Sequence, residues 1–483
     1  MALKVEISRR VTIRPLSPTP ANRRFHNLTI LDQTTPAAYV PVCLFYLPHG
    51  NSTAIIADAL KTSLSQTLEA YYPLAGRYKD DALTVECNDE GVEFVEACVV
   101  VVGGDMSDAL REPDGDRLLA LLPCRPRERH VDSEGKLVLL AVQLNFFGCG
   151  GVAIGICMWH GVADACTLAS FLRAWATINL GCGSLVDATG STAQPITAGS
   201  VVVDCTSIFP PTRIDATPAI ESPSNNTPRT KIKRFVFQSF QIAALRSGIQ
   251  SYWQQQQRPT RVQAVSALIW SVVIKIAMDK KKTTISHGDE QELIHRYHVG
   301  MMVVNLRPRM DPPLPEQVMG NLVHVPVFAK WPMSYHNEEV EETTEAANEL
   351  RAQLAEKLRE SVGMVRDEEV RKIFESSDND DDCDKGSTGH RGGYSDLFKR
   401  FVEEHGKGNL VAFSSWCRFP FYETDFGWGR PTWVGYFNMM DNLVLLIDGK
   451  DGEGIEAWVS LSDEDMYKFQ DNYGILQYAD FKS

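Results

Sequence analysis

From Ser184 to Thr230 this chain is dominated by Ser, Thr, Pro, Asn and Asp, with prolines at 195, 210, 211, 218, 223 and 228. An unstructured stretch of that length is unusual inside a compact domain, where loops beyond about 12–15 residues are uncommon. The chain has 483 residues, too many for one ordinary core at roughly 100–200 residues per domain. The expectation is therefore two lobes. Residues 1–184 form an N-terminal domain, 185–230 a crossover linker, and 231–483 a C-terminal domain. The absence of an internal repeat of about 20–50 residues argues against a solenoid or propeller.

Composition narrows the function classes. Hydrophobic residues make up 44% and charged residues 23%, as in ordinary globular proteins, so wholesale disorder and fibrous designs are excluded. The 48 basic and 62 acidic side chains give a net charge of -14, which repels phosphate backbones and makes nucleic acid a poor partner. The start, Met1 to Arg10, is charged and lacks the apolar core of a secretory signal. The strongest apolar runs, Leu137–Leu144 and Ala97–Val102, fall short of the roughly 20 residues needed to cross a bilayer. Eleven cysteines are scattered with no C-x-x-C pair, which suits reduced thiols in a cytoplasmic protein. His287, His295 and His298 match no closed ligand spacing, so no metal is expected.

Hydrophobic periodicity places the elements. Val5–Ile13 alternates as a strand, and Ser52–Ala70 reads as a helix through Ile55, Ile56, Leu60, Leu64 and Leu68. Residues 82–103 and 137–159 read as strands, with a weaker helical pattern over Met106–Leu122 between them. A helix over Leu168–Ile178 ends at Gly181 and Gly183. Beyond the crossover come a strand over Lys233–Ser239, a helix from Gln241, a buried helix over Thr260–Met278 and a buried strand over Tyr297–Arg307. The acidic stretch 376–393 lacks the residue order of a calcium loop and reads as a solvated surface insert.

The segment with chemical content runs from Phe147 to Ala165. Val152, Ile154, Ile156 and Met158 share one face of a strand, and the small Ala153, Gly155 and Cys157 on the other face imply close packing there. The strand delivers His160 to a corner, followed by Gly161 and a helix. A histidine on such a corner is held rigidly yet can open onto a cleft, and its ordinary pKa near 6.5 suits proton abstraction. Asp164 either orients His160 or serves the helix end and a buried ion pair with an arginine. The second reading is preferred, because a histidine outside the helix is not brought beside Asp164 by helical spacing.

Near the other end stands Ser414-Ser-Trp-Cys-Arg, followed by Asp425-Phe-Gly-Trp-Gly. Together with His160-x-x-x-Asp164, this resembles the plant BAHD family of acyl-CoA-dependent acyltransferases. The resemblance runs the length of the chain through Leu31-Asp-Gln, Tyr39-Val-Pro, Tyr72-Pro-Leu-Ala-Gly-Arg, Val85-Glu-Cys-Asn-Asp, Phe147-Gly-Cys-Gly-Gly, Thr260-Arg-Val, Val304-Asn-Leu-Arg, Gly320-Asn-Leu and Gly454-Ile-Glu-Ala-Trp-Val. Within the family it is most similar to the branch of alkaloid O-acetyltransferases, which also holds enzymes acylating terpenoid and simple alcohols.

The resemblance implies an α/β (α+β) chloramphenicol acetyltransferase-like fold of two domains, each a mixed sheet with flanking helices, and a channel between them with His160 at its middle. It implies acyl-CoA, above all acetyl-CoA, as co-substrate with no permanent cofactor, a small-molecule hydroxyl acceptor, and a monomer. His160 is then the general base of a direct transfer, and Asp164 supports the site by pairing with Arg307. Asp425, Gly427 and Gly429 shape a loop away from the reacting atoms. Thr260, Arg261 and Ser266 fall where the family contacts CoA, although each could equally be a cap or surface group. Ser414, Ser415 or Trp416 could line the oxyanion position. His324 reads as a packed strand residue, and Cys149 and Cys157 as small buried groups. Gly161, where bulkier residues are common in this branch, is expected to enlarge the pocket or loosen the corner. Amide formation with an amine acceptor and a catalytically silent ligand-binding relative are the alternatives.

Overall fold

The computed structural model describes residues 2–181 apart from 49, 51, 80–82 and 112–114, together with 198–211, 230–253, 257–284, 297–332, 344–375, 410–437 and 440–480. Most of the Ser184–Thr230 crossover, the acidic stretch 376–393, and His287 and His295 lie outside these residues.

Six strands form the first sheet, in the order Leu3–Ile13, Val92–Val101, Leu140–Phe147, Val152–Trp159, Tyr39–Tyr46 and Trp433–Gly435. Neighbours are antiparallel except Val92–Val101 and Leu140–Phe147, which run parallel. The helices Thr53–Ala70 and Ala165–Asn179 pack together in the same core, through Leu60, Leu64, Leu68, Phe171 and Trp175. Over Met106–Leu122 the described residues are helical at Met106–Arg111, Gly115–Leu118 and Leu119–Leu121. Pro113 and Gly115 interrupt the run in sequence.

The second sheet runs Val323–Pro332, Tyr297–Asn305, Leu410–Ser415, Leu443–Asp448, Ile455–Ser462 and Thr230–Phe237. It is mixed, because Leu410–Ser415 is parallel to both of its neighbours. The period of two in its strands assigns its faces. Val411, Phe413, Val444 and Leu446 join a core with the helices Ser239–Gln250, Arg261–Thr284 and Thr344–Met364. Their neighbours Leu410, Ala412, Leu443 and Leu445 join the core of the first lobe. The second sheet is thus sandwiched between its own helices and the other lobe.

Residues Arg261–Lys280 are long and apolar enough, by length and composition, to cross a membrane. This revises the expectation from the shorter runs. The helix is nonetheless enclosed within the protein, with Ala264, Leu268, Ile269 and Trp270 all fully buried among the second lobe's core residues.

The expected boundary also changes in one respect. Trp433–Gly435, from the C-terminal half, pairs antiparallel with Tyr39–Tyr46 in the first sheet. That strand is wholly buried, and a buried edge with unpaired backbone groups is costly. A strand from beyond the crossover supplies the missing partner.

Candidate active site

The hairpin strand Val152–Trp159 can approach its surroundings as closely as it does because Gly155 has no side chain. A Cβ there would lie 3.2 Å from the Cα of Leu122 and closer still to the carbonyl oxygen of Leu121. The strand ends in the short turn His160–Val162, and Asp164 caps the helix Ala165–Asn179 by accepting a bond from the Thr167 N–H at 2.8 Å. The His160 backbone is fixed by its N–H donating to Ala38 at 2.9 Å. Its ring Nδ1 lies 2.9 Å from Oδ1 of Asn321, and the Asn321 amide nitrogen also donates to the His160 carbonyl. The imidazole is partly buried, and burial lowers its pKa from the ordinary 6.5, outweighing the backbone bonds, the nearby Asp164 and Asn321, which all pull upward. The shift favours the neutral ring.

Asp164 does not reach the ring. Arg307 donates to both of its oxygens, at 2.7 and 3.1 Å, and the Leu322 N–H adds a third bond at 3.1 Å. The remaining Arg307 protons go to Thr167, Asn305 and the carbonyls of Val318 and Gly320. Arg307 is 0% exposed and Asp164 2%. Such a pair tolerates burial because every charged atom is hydrogen-bonded. It joins the helix after the His160 corner to the Val318–Leu322 segment, which belongs to the other half of the chain.

Asn321 is the residue that sequence reasoning missed, along with Asp32. Its backbone N–H and side-chain amide both donate to Oδ1 of Asp32, at 2.8 and 3.0 Å. Both residues stand inside noted motifs, Gly320-Asn-Leu and Leu31-Asp-Gln. Nothing in their spacing reveals that the fold brings them to His160.

The Asp425 loop docks on the first lobe. Oδ1 of Asp425 accepts from the Gly427 and Gly429 N–H groups at 2.8 and 2.9 Å, and both glycines have positive φ, 104° and 102°. Phe426 packs edge-on against Trp175 at 5.0 Å and stacks with Trp428 at 5.7 Å, while Tyr46 donates to the Thr424 carbonyl at 2.9 Å. Asp425 organises its own loop.

The remaining candidates lie on the second sheet and its first long helix. Ser414 and Ser415 end the central strand of the second sheet half-buried. Trp416 follows, 6% exposed, against Phe421 and Tyr436. Among the described residues, no hydrogen bond joins these three to the His160 corner. Thr260 caps the Arg261–Thr284 helix, exchanging bonds with Gln263. Arg261 is engaged by Asp448 at 3.0 Å and by the carbonyls of Gly452, Glu453 and Gly454. Ser266 is 0% exposed on that helix.

Three further expectations change or sharpen. The space left by Gly161 is not open, because a Cβ there would collide with the Tyr78 hydroxyl and lie 2.7 Å from Nε1 of Trp159, which itself donates to that hydroxyl at 3.0 Å. Cys149 is exposed at the tip of the hairpin, whereas Cys157 is buried. His324 is buried and pushed down to about 3, and the fully buried His298 accepts from Trp270 at 2.9 Å. Both are neutral core residues.

Comparison with known proteins shows the family. Residues 3–475 match the model of the Transferase family. The chain is 35% identical over 467 residues to limonoid 21-O-acetyltransferase of Citrus sinensis, covering 97% of this chain and 96% of the relative. It is 32% identical to salutaridinol 7-O-acetyltransferase of Papaver somniferum, covering 96% of each. The crystal structure of vinorine synthase superposes with a TM-score of 0.72 at 29% identity, over 99% of both chains. With two domains, a histidine at their junction and its capping aspartate locked to Arg307, the chain belongs to the BAHD family of acyl-CoA-dependent acyltransferases.

Proposed function

We propose that this protein is an O-acetyltransferase that moves the acetyl group of acetyl-CoA to a hydroxyl of an alkaloid or terpenoid alcohol, with His160 as general base. The observation that carries the reading is the neutral, partly buried imidazole at the seam between the two halves of the chain, held from both sides. The acceptor oxygen attacks the thioester carbonyl as its proton passes to the ring. The tetrahedral intermediate collapses, the C–S bond breaks, and the proton returns to the departing thiolate. No covalent enzyme intermediate is required. Base assistance contributes about 10²–10⁴ in rate, and holding two substrates together adds to it. Asp164 and Arg307 keep the corner in place without touching the reactants. Ser414, Ser415 and Trp416 are the candidates for a donor to the oxyanion.

The acetyl group and the acceptor classes rest on the relatives, which are named for O-acetylation of limonoids and salutaridinol. We place the protein in the cytoplasm, as a monomer. Its nine described cysteines are all free thiols, which suits a reducing compartment.

The test incubates the protein with acetyl-CoA and a panel of terpenoid and alkaloid alcohols, each paired with its amine analogue. Free thiol release is followed, and products are identified by mass spectrometry. Release that needs both an alcohol and His160, with a product heavier by one acetyl group, is expected. Amides alone, or binding of acetyl-CoA without turnover on any acceptor, would contradict the reading.

A further inference from the structure

A general base must hold its lone pair on the atom that faces the substrate, and neutral imidazole has two tautomers. The bonds around Asn321 settle which one is favoured. Its side-chain nitrogen lies within reach of Oδ1 of Asp32 and of the His160 carbonyl. Both are acceptors, so the NH₂ end of the amide must point at them and the oxygen must point at Nδ1 of His160. With an acceptor opposite, Nδ1 has to be the atom that carries the proton, which leaves the lone pair on Nε2.

The amide is itself prevented from turning over. Oδ1 of Asp32 takes both the backbone and side-chain N–H groups of Asn321, while Oδ2 takes the Thr29 N–H and hydroxyl at 2.8 and 2.7 Å. A carboxylate offers only acceptors. A flipped Asn321 would set oxygen against oxygen twice, at Asp32 and at the His160 carbonyl, in a site where Asn321 is 0% and Asp32 5% exposed. Buried polar groups left unsatisfied in this way are costly. The capping box of the short Ile30–Gln33 helix, Thr29 with Asp32, is thereby tied to the ring, and the bonds cross from one half of the chain to the other.

We propose that Asp32 and Asn321 are positioning residues that hold His160 as the Nδ1–H tautomer, so that Nε2 is the base. This rests on the general-base reading of His160. It leaves Asp164 out of the proton's path, because that carboxylate is taken by Arg307, Thr167 and Leu322. Asn321→Ala removes the acceptor at Nδ1. Asp32→Asn keeps the shape but sets an amide N–H against N–H donors of Asn321 or Thr29, which loosens the hold on the Asn321 amide and so on its acceptor at Nδ1.

The experiment has two readouts. The first is ¹⁵N NMR of histidine-labelled protein, with the His160 ring assigned by its loss in His160→Ala, and it needs no substrate. The wild type is expected to show the proton on Nδ1, and both variants a shift toward Nε2–H. The second is turnover of acetyl-CoA with the best alcohol of the panel. Asn321→Ala is expected to lower kcat by about 10–100-fold, as removing the partner that orients a metal-ligating imidazole does. Asp32→Asn is expected to lower it by about tenfold, with KM changed by less than about twofold in both. Asp32→Asn keeps the inference testable if Asn321→Ala does not fold. Folded variants that keep kcat within about twofold of wild type, or a wild-type ring protonated on Nε2, would overturn the relay. If His160→Ala itself retains turnover, the base reading fails instead, so the two failures are told apart.

Discussion

At the scale of single residues, the site depends on which protons are absent. Burial lowers the His160 pKa from 6.5, and a base must be neutral to act. Lowering the pKa keeps the ring neutral to more acidic pH, so the acid limb of kcat/KM should have its midpoint below 6.5. A pH–rate profile checks this, and a midpoint at or above that value would contradict it. Gly161 offers a steric counterpart. Because the Tyr78 hydroxyl fills its side-chain space, Gly161→Ala should displace Tyr78 and the Trp159 indole, costing about 1–3 kcal/mol as overpacking does. Thermal melts would show it, and an unchanged Tm would mean that the corner has slack. The corner that carries His160 was legible from the sequence because a strand and a helix converge there within a few residues. Asn321 and Asp32 were not, since their meeting is a product of long-range folding.

Among the elements, the buried ion pair decides how the corner is held. Removing one partner strands the other charge in a dry site, which typically costs about 3–5 kcal/mol. Asp164→Ala and Arg307→Ala should each lower denaturant stability by about that amount. If they act as one unit, the double variant should be no worse than either single one, and additive losses would show that the two work separately. The Asp425 loop makes a second attachment between elements. Asp425→Ala frees the Gly427 and Gly429 N–H groups and should lower Tm, with any loss of turnover secondary to the loosened Phe426 contact with Trp175. Helices with clean 3.6-residue periods, such as Thr53–Ala70, were readable from sequence. The weaker pattern over Met106–Leu122 showed helical character but not the bounds of its short elements. Arg261 and Ser266 show the same limit. The place of Arg261 in its motif is visible, but the Gly452–Gly454 turn that it holds lies far away in sequence, and the burial of Ser266 depends on packing.

Across the whole molecule, the two halves are interlocked. Trp433–Gly435 completes the first sheet, the Asp425 loop rests on the first lobe, and the second sheet shares a face with the first core. An isolated fragment 1–181 would expose the buried Tyr39–Tyr46 edge and should be insoluble alone, with co-expression of 230–483 restoring soluble protein. A soluble, cooperatively melting fragment would contradict this. The strand Trp433–Gly435, which joins the first sheet from far along the chain, was not legible, because three residues carry too little pattern to name a sheet. This interlocking places His160 between residues from both halves, Ala38 and Asn321. Its role is tested most directly by the rate of thiol release from acetyl-CoA with a competent alcohol, comparing His160→Ala with wild type at equal folded fraction. The account predicts a fall of at least about 10²-fold; a kcat within a few-fold of wild type would contradict it.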